Sequence, residues 1–139
     1  NLGVMYAEGK GVPKDDVDAV RWTRKAAEQG YASAQNNLGV MYDKGEGTPE
    51  NDVEAVRWYR KAAEQGHAGA QNNLGVMYDN GEGVAENTII AYMLYNLAAA
   101  GGLERGAENR NKLAAKMTAK QISKAQALSN NWRIGQPLP

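Results

Sequence analysis

The sequence predicts an all-α protein built from tandem helix pairs, and three observations predict it. The phrase Asn-Leu-Gly-Val-Met-Tyr occurs at Asn1–Tyr6, Asn37–Tyr42 and Asn73–Tyr78, a constant period of 36 residues. A fixed period of this size marks a repeat array, in which each unit buries its apolar face on its neighbours. Within each unit, apolar residues recur at helical spacing and glycines fall where a helix must stop. Residues 1–36 and 37–72 are identical at 26 of 36 positions, so one reading serves both units.

The elements follow in order. In the second unit a first helix is expected from about Ala32 to Lys44, ended by Gly45-Glu46-Gly47, since glycine supplies the left-handed turn that stops a helix. Pro49 falls in the connection, where its missing N–H does no harm. Asn51 or Asp52 caps a second helix that runs to about Gln65 and stops at Gly66, as Gly30 and Gly102 stop theirs. At 100° per residue Ala34, Leu38, Gly39 and Tyr42 share one face, and Ala55, Trp58, Tyr59 and Ala62 make the matching face. Gly39 brings the two backbones close in an antiparallel pair. Arg60 and Glu64, one turn apart on the outer side, are expected to pair weakly.

The third unit departs from this plan. Ile90, Met93, Leu94 and Leu97 replace Glu54, Arg57, Trp58 and Lys61, so faces that are wet in unit two become apolar. The C-terminal segment is expected to cover them. A helix from about Leu103 to Lys116 and another after the capping box Thr118-x-x-Gln121 provide that cover. Lys112, Lys116, Lys120 and Lys124 give it a solvated outer side. The expected organisation is repeats over 1–102 (units 1–30, 31–66 and 67–102, the first truncated), capping helices over 103–133 and a loose tail over 134–139.

Composition excludes several classes. The chain has 139 residues, 42% of them hydrophobic and 23% charged, with a net charge of zero. No apolar run approaches the roughly 20 residues of a membrane span. Cysteine is absent, which removes disulfides, thiolate metal sites and a Cys nucleophile without fixing the compartment. The charge is split: residues 1–99 carry nine Lys/Arg against fourteen Asp/Glu, and residues 100–139 carry seven against two. The chain opens inside a repeat unit without an initiator Met and reads as a fragment or processed product.

The pattern Ala34-x3-Leu38-Gly39-x2-Tyr42-x2-Gly45-x-Gly47, then Ala55-x2-Trp58-x2-Lys61-Ala62-Ala63-x2-Gly66, resembles the Sel-1-like repeat, a relative of the tetratricopeptide repeat. The resemblance covers residues 1–102. It implies a right-handed α/α superhelix, with first helices lining a concave groove and second helices outside, closed by a C-terminal helical cap. It also implies an adaptor role, as in bacterial signalling, envelope and host-interaction processes or eukaryotic membrane-protein degradation.

The residues offer little chemistry. There is one histidine, His67, at an expected helix start, and three serines, Ser33, Ser123 and Ser129. No Ser-x-x-Lys occurs, and a single His without Cys makes no classical metal cluster. Asp43-x-Gly45-x-Gly47 and Asp79-x-Gly81-x-Gly83 lack the oxygen ladder of a calcium loop and the Gly-Lys-Ser/Thr of a phosphate loop, so they read as turns. The lysine stripe is expected on one short helix without interleaved aromatics, and reads as a solvated face and not as a nucleic-acid site.

The expected function is therefore non-catalytic binding of a protein or peptide along the free face of the first helices. That face comprises Ser33, Asn36, Val40, Asp43 and Lys44, then Asn72, Val76, Asp79 and Asn80, with Val4 from the first unit. The valines would form an apolar row and the asparagine amides would pair with a ligand's backbone. The same asparagines would also suit the seam between repeats. No cofactor, metal, small-molecule substrate or nucleic acid is expected. Leu2 and Tyr6 at the open N-terminal edge favour weak self-association. The competing reading is a structural spacer in which unit stacking is the only task.

Overall fold

The computed structural model describes residues 13–139, and among them the chain forms seven helices and no strand. They are α1 (Pro13–Glu28), α2 (Ala32–Lys44), α3 (Asp52–Glu64), α4 (Ala68–Asn80), α5 (Thr88–Ala100), α6 (Glu104–Ala114) and α7 (Ala119–Asn131). From α1 to α6 each helix packs on the next, and α7 folds back against α5. The result is an all-helical solenoid whose repeating unit is a helix hairpin. Val4, Leu2 and Tyr6 lie outside the described residues.

Local chemistry sets the helix ends. Asn51 rather than Asp52 caps α3, its Oδ1 accepting from Glu54 N at 3.1 Å, and Asn87 does the same for Ile90 N in α5. Gly45 and Gly81 close α2 and α4 in the left-handed region, with φ of 70° and 69°, where a side chain would be strained. Thr118 and Gln121 complete the capping box of α7 in both directions.

The core follows the expected faces. Leu38, Ala55, Ala62 and Leu74 are fully buried, and Trp58 and Tyr59 nearly so. Burial of a leucine such as Leu74 contributes about 1.5–3 kcal/mol. A hydrogen-bonded lock joins the two helices of the hairpins α2–α3 and α4–α5. The rings of Tyr59 and Tyr95 lie on Gly39 and Gly75, so close that a Cβ on Gly75 would stand 2.7 Å from Tyr95 Cε1. Each tyrosine then reaches past the glycine to a carboxylate. Tyr59 OH donates to Asp43 Oδ2 at 3.2 Å, and Tyr95 OH to Asp79 Oδ2 at 3.0 Å.

The apolar outer side of α5 is covered, as expected. Met93 is 1% exposed and Ile89, Ile90 and Leu97 pack against the core, because α7 lies across α5. Asn96 ties the layers together, donating to Ser129 Oγ at 2.8 Å and accepting from Arg110 Nη1 at 2.9 Å.

Three expectations are corrected. The lysine stripe does not run along one helix: Lys112 lies on α6, Lys116 in the turn, and Lys120 and Lys124 on α7. Arg60 and Glu64 do not pair with each other; both turn to the C-terminal segment. That segment is not loose. Gly135 N donates to Glu64 O at 2.7 Å, Leu138 N donates to Glu64 Oε2 at 2.9 Å, and Leu138 is buried. Its backbone polar groups find partners on α3, and this fixes its path although it has few apolar residues.

Candidate functional site

The first helices α2 and α4 carry the residues expected to meet a ligand, and the structure sorts them into three groups. Ser33, Lys44 and Asn80 are exposed, with Asn80 Nδ2 donating to Glu82 Oε1 at 3.0 Å. Val40 and Val76 occupy equivalent positions of α2 and α4, half-buried, with one side against the core and the other open. Asn36, Asn72, Asp43 and Asp79 are engaged in the fold.

The asparagines form a ladder between units. Asn73 Nδ2 donates to Asn36 Oδ1 at 3.0 Å, and Asn109 Nδ2 donates to Asn72 Oδ1 at 2.9 Å. Asn72 is only 4% exposed and is closed to a ligand, which corrects its expected place on the free face. Asn36 stays half-buried, and among the described residues its Nδ2 donates to no protein acceptor. Asp43 and Asp79 are likewise corrected: they lie half-buried under Tyr59 and Tyr95 as acceptors within the hairpin, not free on its surface.

The second rung shows that α6 follows the plan of a first helix. Asn109 stands thirty-six residues after Asn73, Gly106 takes the place of Ala70, and Leu113 that of Met77, all three of α6's residues facing the array. Sequence reasoning treated α6 only as a cap. The 36-residue spacing of Asn37, Asn73 and Asn109 was the available signal. Gln35 and Gln71 were also missed. Both are buried, and their Nε2 atoms donate at 3.2 Å to Ala27 O and Ala63 O, joining each first helix to the end of the preceding second helix.

Electrostatics at these positions follow from burial. Desolvation raises the Asp43 pKa above 3.8, opposed by the Tyr59 hydrogen bond and reinforced by Asp52 and Glu82, whose carboxylate oxygens lie within 4.8 Å of those of Asp43 and of each other. Burial, then the facing aspartate, pushes Tyr59 and Tyr95 above the ordinary tyrosine value of 10, so both hydroxyls stay protonated donors. His67 caps α4, its Nδ1 accepting from Ala70 N at 3.0 Å, and burial lowers its pKa below 6.5. Both effects hold the imidazole neutral at neutral pH. Ser129 is spent on structure, its Oγ donating to Gln126 O while accepting from Asn96. No helix of the described residues is long and apolar enough to cross a membrane.

A second set of residues gathers on the side of α3 and α5. Arg60 donates to Tyr78 OH and to Pro139 O, the latter at 2.9 Å, and Tyr78 OH reaches Pro139 O at 3.4 Å. Met93, Leu128, Trp132, Pro137 and Leu138 line a cleft of about 320 Å³ beside them. Arg24 and Tyr42 repeat the same arginine–tyrosine contact one unit earlier, at the same separation in sequence.

The Sel1 repeat family matches the chain at residues 1–31, 32–67 and 68–103. No curated protein matches it. Among solved structures, it is similar to a protective antigen of uropathogenic Escherichia coli strains that displays an SLR fold, with 40% identity and a TM-score of 0.89 over 93% of this chain and 28% of that one. It is also similar to a Sel1 repeat protein from Oxalobacter formigenes, with 46% identity and a TM-score of 0.72 over 78% of this chain and 45% of that one. The chain thus spans less than half the length of either. The fold they share is of a kind that is typically non-catalytic. Three consecutive matched repeats, carried on the same helix-hairpin solenoid at this level of identity, show that the chain belongs to the Sel1 repeat family.

Proposed function

We propose that this chain is a non-catalytic interaction scaffold that holds an extended peptide or a protein loop along the open face of α2 and α4. Sel1 repeat proteins generally serve as protein-interaction scaffolds. The observation that carries the finer reading is the pair Val40 and Val76. They stand at equivalent positions of adjacent first helices, half-open, beside an asparagine whose amide N–H groups donate to no acceptor among the described residues. An apolar row gives affinity without demanding a particular residue, and the Asn36 amide supplies a donor for a ligand carbonyl. Ser33, Lys44 and Asn80 form the polar rim. The face acts through Asn36 and not Asn72, since Asn72 is buried in the seam.

One observation favours the spacer reading instead. The asparagine ladder explains the Asn-Asn pairs by stacking alone. Partner capture separates the two. Wild type and Val40→Asp/Val76→Asp are immobilised after circular dichroism has shown both to be helical, and bound proteins are identified by mass spectrometry. A partner held by wild type and lost from the double variant supports the groove. Equal capture by both, or capture by neither, refutes it.

A further inference from the structure

We propose that the surface beneath residues 134–139, formed by α3, α4, α5 and α7, is a second docking site, specific for an extended segment with a leucine between prolines. In this structure the chain's own Gln136-Pro137-Leu138-Pro139 occupies it. The occupant expected in trans is a segment of the same chemistry on a different protein, not on a second copy of this chain. The site lies on the second-helix side and is separate from the valine row.

The bound segment itself shows how the site reads a ligand. Helix α3 alone holds its backbone through four hydrogen bonds. Glu64 accepts twice, from Gly135 N through its carbonyl and from Leu138 N through its carboxylate. Arg60 Nη1 donates to Pro139 O at 2.9 Å and to Leu138 O at 3.4 Å. An acceptor and a donor on successive turns of α3 thus clamp a single residue, Leu138, by its N–H and its C=O, and the proline that follows biases that residue to an extended backbone. Proline fits on either side because neither Pro137 nor Pro139 has an N–H to satisfy, and proline pre-sets the extended backbone. Leu138 is the one side chain of residues 134–139 that is buried, at 8% exposed, next to the cleft that Met93, Leu128 and Trp132 line.

Leu138 joins the hydrophobic core, yet three features mark the contact of the segment as an exchangeable one. Ile134 is 71% exposed, and Gly135, Gln136, Pro137 and Pro139 are exposed as well, so the segment buries a single side chain, that of Leu138. The cleft beside that leucine, about 320 Å³ and walled on one side by Gln136, Pro137, Leu138 and Pro139, is filled by none of the described residues. The clamp reads backbone atoms, which any extended segment offers. A tethered segment competes at an effective concentration in the millimolar range, so it screens the site until it is displaced.

The probe is a fluorescent peptide with the sequence of residues 131–139, titrated by anisotropy into the full chain. Leu138→Asp removes the anchor of the tethered segment and leaves the site intact. The probe is expected to bind Leu138→Asp at least about ten-fold more tightly than wild type. Adding Arg60→Ala should abolish that gain, and a probe with aspartate in place of its leucine should not bind. Leu138→Ala serves as the second releasing variant, with circular dichroism checking the fold of each. Equal binding to wild type and both releasing variants, no binding to the releasing variants at about 1 mM, or a gain that survives Arg60→Ala would each overturn the proposal. A wild-type dimer that Leu138→Asp abolishes in sedimentation would assign the surface to a second copy of this chain and overturn the choice of a foreign segment. None of these readings involves Val40 or Val76, so loss of the valine-row site leaves them unchanged.

Discussion

Gly75→Ala sets two physical effects against each other and shows which one governs the hairpin. In an exposed helix interior the exchange stabilises by about 1 kcal/mol, because alanine restricts the unfolded chain. At position 75 the new Cβ would stand 2.7 and 2.8 Å from Cε1 and Cδ1 of Tyr95 and 3.4 Å from Ala91 O. The ring is rigid and 2% exposed, so it can yield only by shifting as a body. Overpacking of this kind costs about 1–3 kcal/mol. A shift of the ring also strains the 3.0 Å bond from Tyr95 OH to the Asp79 carboxylate, and a hydrogen bond to a charged group is worth about 1.5–3 kcal/mol. The two costs overlap, since one movement relieves the first by incurring the second. The net expectation is a loss of about 1–4 kcal/mol. Urea unfolding followed by circular dichroism measures it, with the slope checked for constancy because repeat arrays can lose cooperativity. Tyr95→Leu in the same chain removes the ring, so the double variant should be more stable than the two single losses predict. A gain of about 1 kcal/mol from Gly75→Ala alone, the value that helix propensity gives, would refute the claim that the close approach requires glycine.

Two further predictions test the seam and the cap of α4. Asn109→Ala leaves Asn72 Oδ1 buried without its donor and should cost about 1–3 kcal/mol in urea unfolding, whereas Lys112→Ala on the exposed side of the same helix should stay within about 0.5 kcal/mol. His67 has a folded pKa below its unfolded 6.5, so its contribution is complete above pH 6.5 and is lost as the pH falls through the folded value. His67→Ser caps without titrating, and between about pH 8 and 5 wild type should lose up to about 1 kcal/mol more than this variant, the worth of the cap. Asp43, whose raised pKa makes its ionised form a cost that relaxes on acidification, is common to both proteins and cancels. Parallel pH profiles for the two would remove His67 Nδ1 as the cap.

What could be read from the sequence is what short-range geometry decides. Helix limits at Ala32, Lys44 and Glu64 depend on residues within about one turn, and the buried faces of α2 and α3 depend only on the 3.6-residue period. The family pattern rests on these same local signals. The site fared less well because it depends on reach between elements. Helix phase puts Asp43 and Asp79 on the correct side of the axis, but says nothing about a tyrosine sixteen residues on that passes over a glycine to meet them. Asn36 and Asn72 are alike in sequence, yet one is half-open and the other buried, because α6 covers only the second. The C-terminal segment reads as loose because its apolar content is small. Its position is set by backbone hydrogen bonds to Glu64 and Arg60, which no composition reveals.

The asparagine ladder has a consequence for how such a protein changes length. Each rung joins the first asparagine of one unit to the second asparagine of the next, and the two stand side by side in every intact copy, as Asn36-Asn37 and Asn72-Asn73 do. A gene segment encoding one unit thus carries both halves of the joint. Duplicating it inserts a unit already matched above and below, and deleting it brings matching halves together again. At this joint no compensating substitution is needed when the array lengthens or shortens by one 36-residue unit.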